Sequence, residues 1–300
     1  MIISKRHPFF FYGFLFLITF LFGGIASFLL LKIDRAFFDS IICFLVVIWF
    51  WISLIINTPR ILLDNEYIKF GKKSYKIDDV IEVNLTGKQH FRYLFFTYME
   101  ATSLIFKDGT KKVIFDNMYS NSAEMKLFLK QVVIDKQTYK PYQLASINKN
   151  VLQFENEKQF KGSPFFSFRG IILWSFIILV IYALFFSKSP NIPRVLFEII
   201  GLSWFVFNSW QMYYFSLTKN YLIVKNHFFF WVTDIYKLSD IHEIIYETFP
   251  SNPNCMRIIT KDFNNKLYRA GTLNDKTWIE LMHNLHERGI EVRNECIPET

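Results

Sequence analysis

Residues 8–31 read PFFFYGFLFLITFLFGGIASFLLL, a run without one charged side chain. At about 1.5 Å per residue it is long enough to cross a hydrocarbon core about 30 Å thick. Within such a core each backbone group must be satisfied inside the helix and each charge is costly, so an uncharged run of this length predicts a membrane span. Lys5, Arg6 and His7 precede it, and Gly23-Gly24-Ile25-Ala26-Ser27 resembles the small residues of a signal-peptide cleavage region. The apolar run nevertheless continues through Phe28-Leu29-Leu30-Leu31, and a second block follows after a short charged turn. The expectation is an uncleaved span.

Three further blocks have the same character. One runs from about Phe37 to Asn57, with Trp49 and Trp51 towards its exit, where amphipathic rings favour the interface. Another runs from Phe165 to Phe186, interrupted by Arg169 near its start, and a fourth from Val195 to about Phe215, with Glu198, Asn208 and Gln211 as its polar members. The composition agrees: 52% of the 300 residues are hydrophobic and 36 are Phe, and they are segregated into blocks rather than alternating as in a soluble core. The net charge of +8 is spread through the intervening stretches with carboxylates among the lysines. That pattern excludes a concentrated nucleic-acid-binding arm and fits a membrane protein near anionic headgroups.

The sequence also repeats itself. Lys5-Arg6-His7-Pro8-Phe9-Phe10 before the first span is answered by Lys161-Gly162-Ser163-Pro164-Phe165-Phe166 before the third. Leu63-Asp64-Asn65-Glu66-Tyr67-Ile68 is answered by Leu217-Thr218-Lys219-Asn220-Tyr221-Leu222, and Tyr75-Lys76-Ile77-Asp78-Asp79-Val80 by Tyr236-Lys237-Leu238-Ser239-Asp240-Ile241. The last pair requires an insertion around residues 226–233. Phe106-Lys107-Asp108-Gly109 then corresponds to Thr260-Lys261-Asp262-Phe263. Matches in the same order, each at a similar distance from a hairpin, predict a duplication.

Between the hairpins, short alternating apolar runs predict strands at Tyr67–Phe70, Tyr75–Ile77, Val80–Leu85, Leu104–Phe106 and Val113–Phe115, with Asp108-Gly109 as a tight hairpin turn. A helix capped by Asn121 or Ser122 follows, carrying Met125, Leu127, Phe128 and Val132. The second half predicts strands at Tyr221–Val224, Phe228–Val232, Ile235–Leu238, Ile241–Tyr246, Met256–Thr260 and Leu267–Tyr268. A helix from about Asn274 to Arg288 then places Trp278, Leu281, Met282 and Leu285 on one face.

This succession of hairpin, strands, a Lys-Asp-Gly turn and a closing helix resembles bacterial membrane-anchored PH-like domain proteins, here in tandem. The resemblance implies a fold class of membrane α-helices plus α+β, with each two-span hairpin followed by a small antiparallel PH-like barrel and a C-terminal helix. The implied organisation is a first hairpin over 1–57, a first PH-like domain over 58–135, a linker over 136–163, a second hairpin over 164–215 and a second PH-like domain over 216–295. The resemblance brings no catalytic residues and no phosphoinositide specificity. It implies a membrane-tethered binding or scaffold module.

Catalytic constellations are not found. The six His fall in no nucleophile or metal motif, no Walker loop or GxSxG is present, and Cys43, Cys255 and Cys296 have no metal-type spacing. We expect no enzyme activity, no metal and no cofactor. Arg169, Glu198 and Asn208 are the intramembrane polar candidates, and their positions towards span ends favour headgroup anchoring over an ion path. Lys72, Lys73 and Lys76, with Lys111 and Lys112, are candidates for contact with anionic headgroups or a protein partner. In the second half the matching turn is aromatic, Asn226-His227-Phe228-Phe229-Phe230-Trp231, which makes Phe229 and Trp231 candidates of the same class. The expectation there is a buried strand or a segment packed on the other domain.

Four spans place both soluble domains and both termini on one side. The abundance of Lys on the domains and the unpaired cysteines favour the cytoplasmic face of an inner membrane. The expected partners are the lipid bilayer and an unidentified protein, with no nucleic acid. The alternatives are an immunity protein whose spans meet a toxin or bacteriocin, and a small transporter or channel using Glu198 and Arg169.

Overall fold

The computed structural model describes residues 1–32, 37–91, 97–144, 147, 157–186, 194–249 and 252–298. The chain separates into two units, Met1–Gln143 and Leu144–Thr300. Residues 33–36 and 187–193, between the paired helices, and part of the 136–163 linker lie outside the described residues.

The first unit begins with strand β1 (Ile2–Ile3). A π-helical segment, Pro8–Gly13, then leads into α1 (Phe14–Lys32), and α2 (Phe37–Asn57) returns. Ala26, Phe50 and Leu54 are buried within the unit, whereas Phe16, Phe20 and Phe38 point outwards. Such an inverted distribution suits helices surrounded by lipid. Trp51 Nε1 donates to Thr19 Oγ1 at 3.0 Å, a polar link between the two helices.

Strands β2 (Ile61–Leu63), β3 (Tyr67–Phe70) and β4 (Lys73–Lys76) form an antiparallel sheet in the order β1-β2-β3-β4. A second sheet contains β5 (Val80–Asn84), β6 (Lys88–Phe91), β7 (Thr97–Phe106) and β8 (Lys111–Phe115), with β7 pairing all three others. Helix α3 (Ser122–Phe128) continues π-helically through Leu129–Ile134 and buries Met125, Phe128 and Val133 in the core shared by both sheets. Asn121 stands at the start of α3 without capping it. Its side chain instead donates to Ile3 O at 3.0 Å and accepts from Lys5 N at 2.8 Å, so the start of the helix is tied to the strand that precedes the first span.

The second unit has β9 (Lys158–Phe160), then α4 (Phe168–Phe186) and α5 (Arg194–Ser209). Strands β10 (Tyr213–Leu217), β11 (Tyr221–Asn226) and β12 (Thr233–Lys237) complete a sheet ordered β12-β11-β10-β9. The other sheet is β13 (Ile241–Glu247), β14 (Cys255–Thr260), β15 (Asn265–Arg269) and β16 (Val292–Asn294), the last parallel to β13. Helix α6 (Asp275–His286) is capped by Asn274, whose Oδ1 accepts from Thr277 N at 2.9 Å. It buries Trp278, which lies 4.7 Å from Tyr246 and 5.6 Å from Phe215 between ring centroids.

Several boundaries differ from expectation. The fourth apolar run is helical only to Ser209, and Tyr213–Leu217 is strand β10. An apolar stretch cannot distinguish helix from buried strand by composition, and the polar residues Asn208, Ser209 and Gln211 mark the change. Phe165 and Phe166 precede α4 rather than opening it. Lys158–Phe160, expected as linker, is a sheet strand, and Ile2–Ile3, expected as part of the first hairpin, is another. In each unit, therefore, the strand before the helix pair hydrogen-bonds to the strand after it: Ile2 lies opposite Leu63, and Phe160 opposite Phe215.

Among the described residues, three helices are long and apolar enough to cross a membrane: Pro8–Leu31, Phe37–Asn57 and Phe168–Phe186. Helix α5 has 16 residues. The chain thus combines membrane-type helices with small, mostly antiparallel sheets.

Candidate functional site

The basic turn of the first unit sits where the chain leaves α2. Gly71, at φ +59°, donates its N–H to Arg60 O at 2.8 Å, and a Cβ there would lie 3.9 Å from Pro59. A left-handed residue is needed to reverse the chain between β3 and β4, and glycine adopts it without strain. Lys72 and Lys73 are exposed beside this turn. Lys73 and Tyr75 share one face of β4 because side chains alternate along a strand, whereas Lys76 lies on the other. Tyr75 stacks on Phe106 at 4.2 Å, and Lys112 Nζ lies 5.7 Å from the Tyr75 centroid. Lys111, one residue earlier in β8, faces the opposite way. Alternation divides the five lysines grouped by sequence: Lys73 and Lys112 share the Tyr75 face.

Asp108 sits in the exposed turn between β7 and β8. Its carboxylate accepts from Thr110 N at 2.9 Å and Thr110 Oγ1 at 2.8 Å; those bonds, with a smaller contribution from the charge of Lys73, hold its pKa below the ordinary value.

The equivalent turn of the second unit corrects the expected strand at 228–232. Asn226 Oδ1 accepts from Phe228 N and Phe229 N, both at 3.0 Å, and Asn226 Nδ2 donates to Ser209 O at 2.9 Å. The asparagine side chain thereby supplies the bonds a strand partner would have made, and the segment folds as a loop. Phe228 packs 5.3 Å from Phe205 and 6.2 Å from Trp174, both on the apolar helices, while Phe229 lies 5.8 Å from Trp210. Phe230 and Trp231 are 81% and 67% exposed, so the expectation of burial fails for the tip of the loop.

Beneath this loop lies a polar junction that sequence reasoning grouped only in part. Asn208, Ser209, Gln211, Asn226 and Thr272 are buried. His227 Nε2 is 3.2 Å from Thr272 Oγ1, and its ring lies 4.7 Å from that of Tyr214. Burial, reinforced by the charge of Lys161, pushes the His227 pKa down to about 4, so the imidazole is neutral at pH 7. Gly162 is required at the edge of this junction, since a Cβ there would fall 1.6 Å from Thr272 O.

Of the intramembrane polar candidates, Glu198 stands apart from the other two. Arg169 lies in the first turn of α4, its Cγ 3.4 Å from the position a Gly271 Cβ would take. Asn208 ends α5 and donates to Trp204 O at 2.9 Å. Glu198 is exposed near the opposite end of α5, about 15 Å along the axis from Asn208 at 1.5 Å per residue. Among the described residues, no group of His, Cys, Asp and Glu is arranged to hold a metal ion.

Two buried ion pairs had no sequence signal, because their partners come from different elements. Lys126 Nζ is 2.6 Å from Asp116 Oδ2, and Arg257 Nη2 is 2.7 Å from Glu247 Oε1. They lie within the folded units and fix the packing of α3 and of the β13–β14 pair.

The chain matches no protein-family model, and no curated protein is significantly similar to it.

Proposed function

We propose that this chain is a non-enzymatic, multi-pass protein of a bacterial inner membrane. In this reading two helix hairpins carry tandem PH-like domains on the cytoplasmic face, and the domains bind a protein partner at the membrane surface. The observation that carries it is the strand pairing across each hairpin, Ile2 with Leu63 and Phe160 with Phe215. A chain that leaves a sheet, runs through two apolar helices and rejoins the same sheet must return to the side it left. The second pairing therefore supports a fourth crossing by α5.

The tandem reading is supported by matched details in the two units. Lys107 N donates to Asp79 O at 2.8 Å, and Lys261 N to Asp240 O at 2.8 Å. The register shifts between Val80 and Glu82 in one sheet and between Ile241 and Glu243 in the other. His7 Nδ1 accepts from Phe9 N and Phe10 N, and Ser163 Oγ from Phe165 N and Phe166 N. A binding role is supported by the exposed Lys72 and Lys73 beside the exit from α2, and the cytoplasmic assignment by the Lys excess.

Photocrosslinking in native membranes tests this reading. The full chain should capture a protein partner that a Lys72→Glu/Lys73→Glu/Lys112→Glu variant, inserted at equal abundance, loses. An ion flux from reconstituted protein that is removed by Glu198→Gln alone would overturn it in favour of a channel.

A further inference from the structure

We infer that the loop His227–Val232 is an interfacial anchor, whose Phe230 and Trp231 insert into the headgroup and upper acyl region of the bilayer and hold the second sheet domain down on the membrane. The inference rests on the reading that α4 and α5 lie in a bilayer.

Depth is set by the loop's partners. Phe228 meets Trp174, five residues into α4 from Arg169, which corresponds to about 7–8 Å along the helix axis at 1.5 Å per residue. Its other partner, Phe205, lies three residues before Asn208 in α5. Arg169 marks the level at which a long cationic side chain reaches headgroups. The base of the loop therefore lies within the 5–10 Å band that interfacial aromatic segments occupy.

The surroundings identify lipid as the occupant. The exposed tip continues the exposed apolar surface of the hairpin: Phe166, Phe168 and Trp210 are exposed beside the same ends of α4 and α5. Trp231 lies 4.9 Å from Phe230 and 5.5 Å from Phe229, which itself rests on Trp210, so the tip is held against the helices. Trp concentrates at membrane interfaces, where Trp231 can bury its apolar body and keep its indole N–H wet, while Phe230 adds purely apolar surface. In the first unit the corresponding turn carries exposed lysines, suited to headgroup charge without insertion. The two domains would thus meet the same membrane by different chemistry.

Spin labels test this with the full chain in phosphatidylcholine vesicles. A cysteine is placed in turn at Phe230, at Leu179 in the middle of α4 and at Lys237 at the far end of β12, after Cys43, Cys255 and Cys296 are changed to Ala. The expected result is a ratio of oxygen to nickel-chelate collision rates severalfold higher at 230 than at 237, approaching that at 179. An aqueous reading at 230 with a lipid reading at 179 overturns the anchor alone; an aqueous reading at 179 overturns the membrane assignment on which it rests. With the native cysteines retained, lipids brominated near the glycerol end should quench wild-type Trp fluorescence more than that of Trp231→Phe. Equal quenching would also contradict the anchor.

Discussion

Phe160 lies directly opposite Phe215 in an antiparallel pair, although both apolar helices of the second unit separate them in the chain. Phe160 is fully buried, so its removal costs both the strand edge and core volume. Phe160→Ala should destabilise the second unit by about 3–5 kcal/mol. Hydrogen exchange is the appropriate measurement, because a chain of two units does not unfold in one step. Faster exchange over Tyr213–Leu217, with Ile61–Leu63 unchanged, is the expected pattern.

Lys126 and Asp116 form an ion pair whose side chains are 1% and 0% exposed. Removing one partner strands a charge in the core, so Lys126→Met should cost about 3–5 kcal/mol, whereas Lys126→Met with Asp116→Leu should recover most of the loss. A double-mutant cycle on chemical denaturation of the first unit measures the difference.

Gly109 and Phe263 occupy the same position in the two hairpin turns, at φ +76° and +61°. Each donates its N–H back across the turn, Gly109 to Phe106 O at 2.9 Å and Phe263 to Thr260 O at 2.8 Å. A left-handed residue with a side chain costs about 1–2 kcal/mol. Phe263 offsets this by burying its ring 5.4 Å from His242. Gly109→Ala should therefore destabilise its unit by about 1 kcal/mol through conformation alone, since a Cβ there meets nothing within 4 Å. Phe263→Gly should be the more damaging change, because lost burial of about 3 kcal/mol exceeds the relieved strain. Thermal unfolding of the two variants checks the order.

His227 supplies a pH dependence. Its pKa is about 4 when folded and near 6.5 when unfolded. Between these values the unfolded chain binds the proton and the folded chain does not, so stability falls as pH drops from 6.5 towards 4. His227→Gln should flatten the decline in melting temperature across that window without altering the behaviour above pH 7. A decline of equal slope in the variant would assign the effect elsewhere.

The long apolar helices and several of the strands were legible because an uncharged run of span length and the alternation of the β pleat each mark the sequence. Trp278, Leu281, Met282 and Leu285 lie on the buried face of α6 at their helical spacing. Strands at Ile2–Ile3 and Lys158–Phe160 were not legible, since such short segments become strands only through partners beyond a hairpin. The aromatic loop misled for another reason. Phe228-Phe229-Phe230-Trp231-Val232 has strong strand composition, and the side chain of Asn226 overrides it locally. The basic candidates were found, but alternation along β4 and β8 divides them between faces in a way that a list of lysines does not convey.

The central claim is that both hairpins cross the membrane twice and leave both sheet domains on one face. Labelling of single cysteines by a membrane-impermeant maleimide, in intact cells and in inverted membrane vesicles, tests it most directly. Cysteines at Lys72 and Lys237 report the domains, and cysteines at Asp34 and Ser189 report the segments that link the helices of each pair. The account predicts that 72 and 237 label only in inverted vesicles and that 34 and 189 label only in intact cells. Labelling of 189 from the same side as 237 would contradict it, because α5 would then not complete the second crossing.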